Sequence, residues 1–117
     1  MSSLKQSQPF NKRKEYADRM LRKYSDRVPV IVENAEGKDT DKLSSNKYMV
    51  PELFTVAQFM SSLREKIKLS PDQSIFLYSG KTLPSTSETM GQVYHKCKDD
   101  DGFLYMTFSP ESTFGWW

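Results

Sequence analysis

Val28-Pro29-Val30-Ile31-Val32-Glu33 decides the fold. β-Branched residues fill this stretch, so it reads as a strand, with Pro29 acceptable at its start or at a bulge. Successive side chains of a strand point to opposite sides, which puts Val28, Val30 and Val32 on one face and Pro29 and Ile31 on the other. A strand wet on one side would not carry apolar residues on both, so its sheet is expected to be covered twice. Phe103-Leu104-Tyr105-Met106-Thr107-Phe108 repeats the pattern, with Leu104, Met106 and Phe108 alternating against Phe103 and Tyr105.

Working outward, Lys47-Tyr48-Met49-Val50, closed by Pro51, is a second short strand, expected to pair antiparallel with the first across the polar loop 34–46. Thr55 with Gln58 fits a capping box and Phe54 with Phe59 a hydrophobic staple. A helix should therefore start near Val56, bury Val56, Phe59, Met60, Leu63 and Ile67, and stop at Pro71. Residues 74–83 read as a strand whose Ser79-Gly80 pair turns into a shorter strand. Thr89 and Gln92 repeat the capping box, predicting a short helix to about Lys98, and Asp99 to Gly102 form a turn. At the other end, Phe10, Ala17, Met20, Leu21 and Tyr24 recur at helical spacing against Lys12, Arg13, Lys14, Arg22 and Lys23, an amphipathic helix bounded by Pro9 and by Ser25 and Asp26.

Helix, β, β, α, β, β, α, β describes an α+β roll whose last strand lies parallel to the first. The Val56 helix is expected on one face and the N-terminal helix, through Tyr16, Ala17, Met20 and Leu21, on the other. A single short helix cannot cover a whole face. What stays open would be an apolar groove along Lys47–Val50, bordered by Lys47 and Arg27, suited to an extended peptide with large side chains and acidic flanks. Full coverage by the chain's own packing is the alternative.

With 117 residues, 37% hydrophobic and 27% charged, the chain has the make-up of one compact domain. It can bury roughly 65% of its unfolded surface without a metal or disulfide. Cys97 is the only cysteine, which fits a reducing, cytoplasmic compartment. No stretch reaches the roughly 18 consecutive apolar residues of a membrane helix. The net charge of +2 conceals an asymmetry, because residues 1–27 hold eight Lys/Arg against three Asp/Glu. Such an end is a solvated helix face or a surface for an acidic partner, a lipid or a nucleic acid.

Several patterns imitate chemistry. His95 and Cys97, two apart on a helix, point to different sides and do not make a nucleophile and base. Gly80-Lys81-Thr82 resembles the end of a phosphate loop, but Ile75 stands where that loop needs glycine. Asp99, Asp100 and Asp101 lack the oxygen spacing of a calcium loop and read as a solvated turn. Nothing assembles an acid, a base and a pocket, so no enzyme, metal or cofactor is expected.

KYSDRVPVIVE (23–33), NKYMVP (46–51), TVAQF (55–59), LPSTSETMG (83–91) and DGFLYMTFSPES (101–112) closely resemble the autophagy ubiquitin-like modifiers, the family of GABARAP and the microtubule-associated protein light chains. The similarity runs in register from about Pro9 to Gly115. It implies a ubiquitin-like β-grasp roll with additional N-terminal helices, divided into a flexible tail 1–8, a helical extension 9–26, the β-grasp domain 27–109 and a C-terminal tail 110–117. It also implies conjugation through a C-terminal glycine to phosphatidylethanolamine. A cysteine protease would first cleave between Gly115 and Trp116, and activating and conjugating enzymes would follow. Glycine, lacking a Cβ, suits a tail that must thread narrow channels.

The resemblance further implies binding of receptors and adaptors through aromatic-x-x-aliphatic peptides. By position, the aromatic pocket falls on Tyr16, Met20, Pro29, Ile31, Lys47, Met49 and Phe103. The aliphatic pocket falls on Tyr48, Val50, Pro51, Phe54, Phe59 and Leu63, with Arg27 and Lys66 placed for acidic ligand residues. Ile75, Phe76, Leu77 and Tyr78 match a surface that engages the processing protease or a second docking partner. Tyr16 stands where relatives carry Glu, which favours Phe or Tyr ligands over Trp, and Ser45 and Glu65 replace basic residues. The implied location is the cytoplasm, and the autophagosomal membrane after lipidation. The competing readings are an unconjugated ubiquitin-like adaptor, or tubulin or nucleic-acid binding through the basic helix. Nucleic acid is not expected, because stacking aromatics are not interleaved with the basic residues.

Overall fold

The run around Ile31 forms β1 (Arg27–Asn34), the central element of the sheet. The computed structural model describes residue 5 and residues 8–34, 47–67 and 75–109. β2 (Lys47–Pro51) pairs antiparallel with β1, matching Val28 to Val50 and Val30 to Tyr48. β4 (Leu104–Ser109) lies parallel on the other side of β1, matching Val30 to Leu104 and Val32 to Met106, and β3 (Phe76–Tyr78) pairs antiparallel with β4. The order is β2-β1-β4-β3, so β2 is an edge strand. The expected antiparallel pair and the parallel return of the last strand are both present. The expected short strand after the Ser79-Gly80 turn is not. Gly80 turns with φ of 61°, Ser79 and Thr82 exchange two backbone hydrogen bonds, and Pro84, which has no N–H, cannot extend the ladder.

Each sheet face has its own cover. α2 (Val56–Ile67) and α3 (Met90–Cys97) lie over the face of Val28, Val30, Val32, Leu104, Met106 and Phe108. α1 (Phe10–Lys23) lies over the face of Ile31 and Phe103, where Ala17 is its one buried residue. The ends of its predicted apolar stripe are exposed: Arg13 lies over the ring of Phe10 and Lys23 over that of Tyr24, so each ring is screened by a cation instead of by the sheet. The expected loop 34–46 beyond its first residue, the Pro71 stop, the side chain of Ile67 and both tails lie outside the described residues, apart from Lys5 and Gln8. No helix among the described residues is long and apolar enough to cross a membrane.

Both capping boxes form. Thr55 N–H donates to Gln58 Oε1 at 2.8 Å while Gln58 N–H donates to Thr55 Oγ1 at 3.1 Å, and Thr89 and Gln92 do the same at 2.9 and 3.1 Å. The two helix starts also cap each other. Val56 and Ala57 donate to the carbonyls of Glu88 and Thr86, and Met90 and Gly91 donate to those of Phe54 and Glu52, which satisfies N–H groups that a helix start cannot satisfy itself. Gly91 permits this approach, since a Cβ there would stand 3.1 Å from the Glu52 side chain and carbonyl.

Candidate peptide-docking site

Among the described residues the outer edge of β2 pairs with no strand, and it organises the site. Glu52 N–H donates to the Asp26 carbonyl at 3.0 Å, in register with the β1–β2 ladder. Antiparallel pairs alternate between bonded and non-bonded, so Tyr48 and Val50 turn their backbone groups to β1 and Lys47 and Met49 turn theirs outward. Pro51, also outward, has no N–H, and its carbonyl accepts from the Phe54 N–H at 3.0 Å. Arg27 Nη1 donates to the Met49 carbonyl at 3.2 Å.

The same register distributes the side chains. Lys47, Met49 and Pro51, with Arg27, Pro29 and Ile31 opposite them, face α1, whereas Tyr48 and Val50 face α2. On the α1 side a cavity of about 200 Å³ is lined by Gln8, Lys12, Arg13, Tyr16, Lys47 and Phe103. Tyr16 and Phe103 stack with ring centroids 5.9 Å apart, and Lys47 Nζ sits 4.6 Å from the Tyr16 centroid. Three of the seven residues expected in an aromatic pocket therefore line one cavity. Ile31 and Pro29 are buried, and Met20 and Met49 are half-buried outside its lining. Gln8, Lys12 and Arg13 were not foreseen, because helical periodicity alone puts Lys12 and Arg13 on the wetter side.

On the α2 side, Val50, Phe59 and Leu63 are buried in one cluster, against which half-buried Tyr48 and Phe54 pack. Tyr48 meets Phe59 edge to face, centroids 5.8 Å apart, and Lys66 Nζ lies 5.5 Å from the Tyr48 centroid. Burial raises the Tyr48 phenol above its ordinary range, which keeps it neutral. Arg27 and Pro51, expected with this group, lie on the opposite face. A tyrosine under a lysine thus stands on each side of the edge. Of the third expected surface, Ile75, Leu77 and Tyr78 are buried and only Phe76 retains partial exposure.

The largest departure is Asp101. Read as part of a solvated turn, it has no exposed surface. Its Oδ2 accepts from Arg13 Nη1 and from the Tyr105 hydroxyl, each at 2.5 Å, and its Oδ1 accepts from the Phe103 N–H at 2.9 Å. A buried carboxylate is retained where such partners replace its lost water. Burial and then the bond to Asp101 push the Tyr105 phenol well above its ordinary range, so it stays a donor. Gly115 and Trp116 lie outside the described residues. His95 is exposed and Cys97 is a free thiol packed partly against the core.

A β-grasp sheet of this order, with helices over both faces, defines a ubiquitin-like protein. The profile described as "Autophagy protein Atg8 ubiquitin like" matches residues 12–115. Autophagy-related protein 8 of Coccidioides immitis is 47% identical over 114 residues, covering 97% of each chain, and that of Colletotrichum lindemuthianum is 47% identical, covering 97% of this chain and 94% of its own. Among solved structures, Trypanosoma brucei ATG8 superposes with a TM-score of 0.89 at 38% identity over 98% of this chain and 99% of its own. Plasmodium falciparum Atg8, in complex with a Plasmodium falciparum Atg3 peptide, does so with a TM-score of 0.84 at 30% identity over 96% and 98%. The chain belongs to the Atg8 family, and is a non-enzymatic ubiquitin-like modifier of autophagy.

Proposed function

We propose that this chain is conjugated through Gly115 to phosphatidylethanolamine on autophagosomal membranes, and that it docks receptors and adaptors carrying aromatic-x-x-aliphatic motifs. The observation that carries the docking half is the unpaired edge of Lys47–Pro51 between the Tyr16–Phe103 cavity and the Tyr48–Phe59 surface. An extended peptide adds a strand along Lys47 and Met49, and its alternate side chains reach opposite faces. The Plasmodium relative's complex with an Atg3 peptide supports this reading. Lys12, Lys47 and Lys66 suit acidic residues flanking the motif. Ile75–Tyr78, through Phe76, is the proposed contact of the processing protease or a second partner.

The conjugation half rests on family membership and the Phe114-Gly115 pair, which lies within the matched residues 12–115. Removal of Trp116 and Trp117 frees a carboxylate for activation, thioester formation and transfer to the lipid amine. The chain donates the carboxylate, and two acyl chains hold it to the membrane where one would do so only marginally.

Titration with an aromatic-x-x-aliphatic peptide should give roughly micromolar affinity, about −8 kcal/mol. Met49→Asp and Phe59→Asp, each on protein whose circular dichroism shows it folded, should abolish it, and unchanged binding in both would remove the groove. Incubation with autophagy protease, activating and conjugating enzymes and phosphatidylethanolamine vesicles should yield an adduct that mass spectrometry places on Gly115. A lipidated chain retaining both tryptophans, or an adduct on a lysine or Cys97, would refute the mechanism.

A further inference from the structure

Asp101 and Gly102 touch α1 at two consecutive residues. Asp101 holds Arg13 through its Oδ2, 88 residues apart in sequence. At Gly102, with φ of +94°, a Cβ would stand 3.0 Å from the Ala17 Cβ. Lys5 reaches the same turn, donating to Asp99 Oδ1 at 2.7 Å and lying 4.6 Å from the Tyr105 ring centroid. From the opposite side the Tyr94 hydroxyl donates to the Gly102 carbonyl at 2.7 Å, fixing the turn to α3 and the larger core.

Among the described residues the apolar cluster beneath α1 is small: it buries Ala17, Ile31 and Phe103, with half-buried Tyr16 and Tyr105 packed against it. Yet α1 and the residues before it supply Gln8, Lys12, Arg13 and Tyr16 to one wall of the cavity, while Lys47 and Phe103 form the other. Arg13 belongs to both the wall and the contact with Asp101. We infer that the Asp101–Gly102 turn is a positioning element of the peptide site: by setting the height of α1, it sets the gap between Tyr16 and the sheet that receives an aromatic side chain. This rests on the docking reading above. Asp101, fully buried, touches no ligand itself.

Two substitutions displace α1 without altering a cavity-lining residue. Asp101→Asn removes the charge that holds Arg13, and Ala17→Leu adds volume where α1 meets Gly102. Each full-length variant is titrated with an acidic peptide of the form Asp-Asp-Phe-Ala-Ala-Leu and with the same peptide carrying Ala in place of Phe. Amide exchange is followed in α1 and in the β1–β4 ladder. Faster exchange confined to α1 is expected, with about tenfold weaker binding of the Phe peptide and unchanged binding of the Ala peptide. General destabilisation would speed exchange in β1–β4 as well, or weaken both peptides equally, and either result overturns the inference. So does Phe-peptide affinity that stays at the level of the unaltered chain, or α1 exchange that does not change. An unaltered chain that binds neither peptide refutes the docking reading, and this inference with it.

Discussion

The two faces of the sheet are covered in different ways. On the α2 and α3 face fifteen buried residues form one cluster, from Val28 to Phe108, and the helices above it cap each other through backbone hydrogen bonds. On the α1 face the apolar cluster of the described residues has three buried members, Ala17, Ile31 and Phe103, and a charged contact at Asp101 does part of the holding. Apolar packing is non-directional and grows with area, so the first face supplies stability that tolerates small shifts. A hydrogen-bonded carboxylate is directional and short-ranged, so the second face specifies position at the cost of a larger core.

That contrast is broken most severely from the first face. Leu104 is fully buried there, and Leu104→Ala should destabilise the fold by about 3 kcal/mol, within the usual span for a core leucine, as read from urea unfolding. Tyr16→Ala, on the second face and half-buried, should leave the unfolding midpoint nearly in place while weakening an aromatic peptide severalfold; a large stability loss would erase the distinction. Smaller again is Thr89→Ala, which removes the side-chain acceptor of Gln92 N–H and should cost about 1 kcal/mol without touching peptide affinity.

The smallest effect is set by pH. Asp99 is held below its ordinary carboxylate value: burial alone would raise it, but Lys5, the Asp101 N–H and Arg13 together outweigh that. A carboxylate depressed in the folded state stabilises it above the unfolded value, near 4, and that contribution is lost as pH falls through the folded value. Below about pH 4, amide exchange in α1 should therefore quicken before that in β1. Simultaneous loss would show that the two faces unfold as one unit.

Much of this was legible because the controlling signals are local. The capping boxes at Thr55 and Thr89 need only a three-residue spacing, and the double-sided cover follows from the alternation in Val28–Val32 and Phe103–Phe108. The parallel return of β4 also followed, since the elements between β1 and β4 supply the crossover that a parallel pair requires. Asp101 was not legible. Three aspartates in a row look solvated, and only the return of Arg13 from the far end of the chain makes the third a buried acceptor. Gln8, Lys12 and Arg13 escaped for the same reason: helical periodicity marks which side of α1 is wetter, but not that β2 and Phe103 enclose a space against it. At Ser79–Thr82 the turn was read correctly, but Pro84 ends the pairing that a second strand would need.

One feature of β2 bears on solubility. An unpaired edge that welcomes a guest strand also welcomes the same edge of another copy, and sheets extended in that way aggregate. β2 is only five residues long, ends in a proline that offers no N–H, begins with a lysine, and has the Met49 carbonyl already engaged by Arg27. Two such edges meeting antiparallel would set each lysine opposite the other's proline and would have to dislodge both arginines for a short ladder. On the proposed function, a peptide with acidic flanks meets neither obstacle to the same degree, so the edge would discriminate between guest and sibling, a property that matters most where many copies are crowded onto one surface.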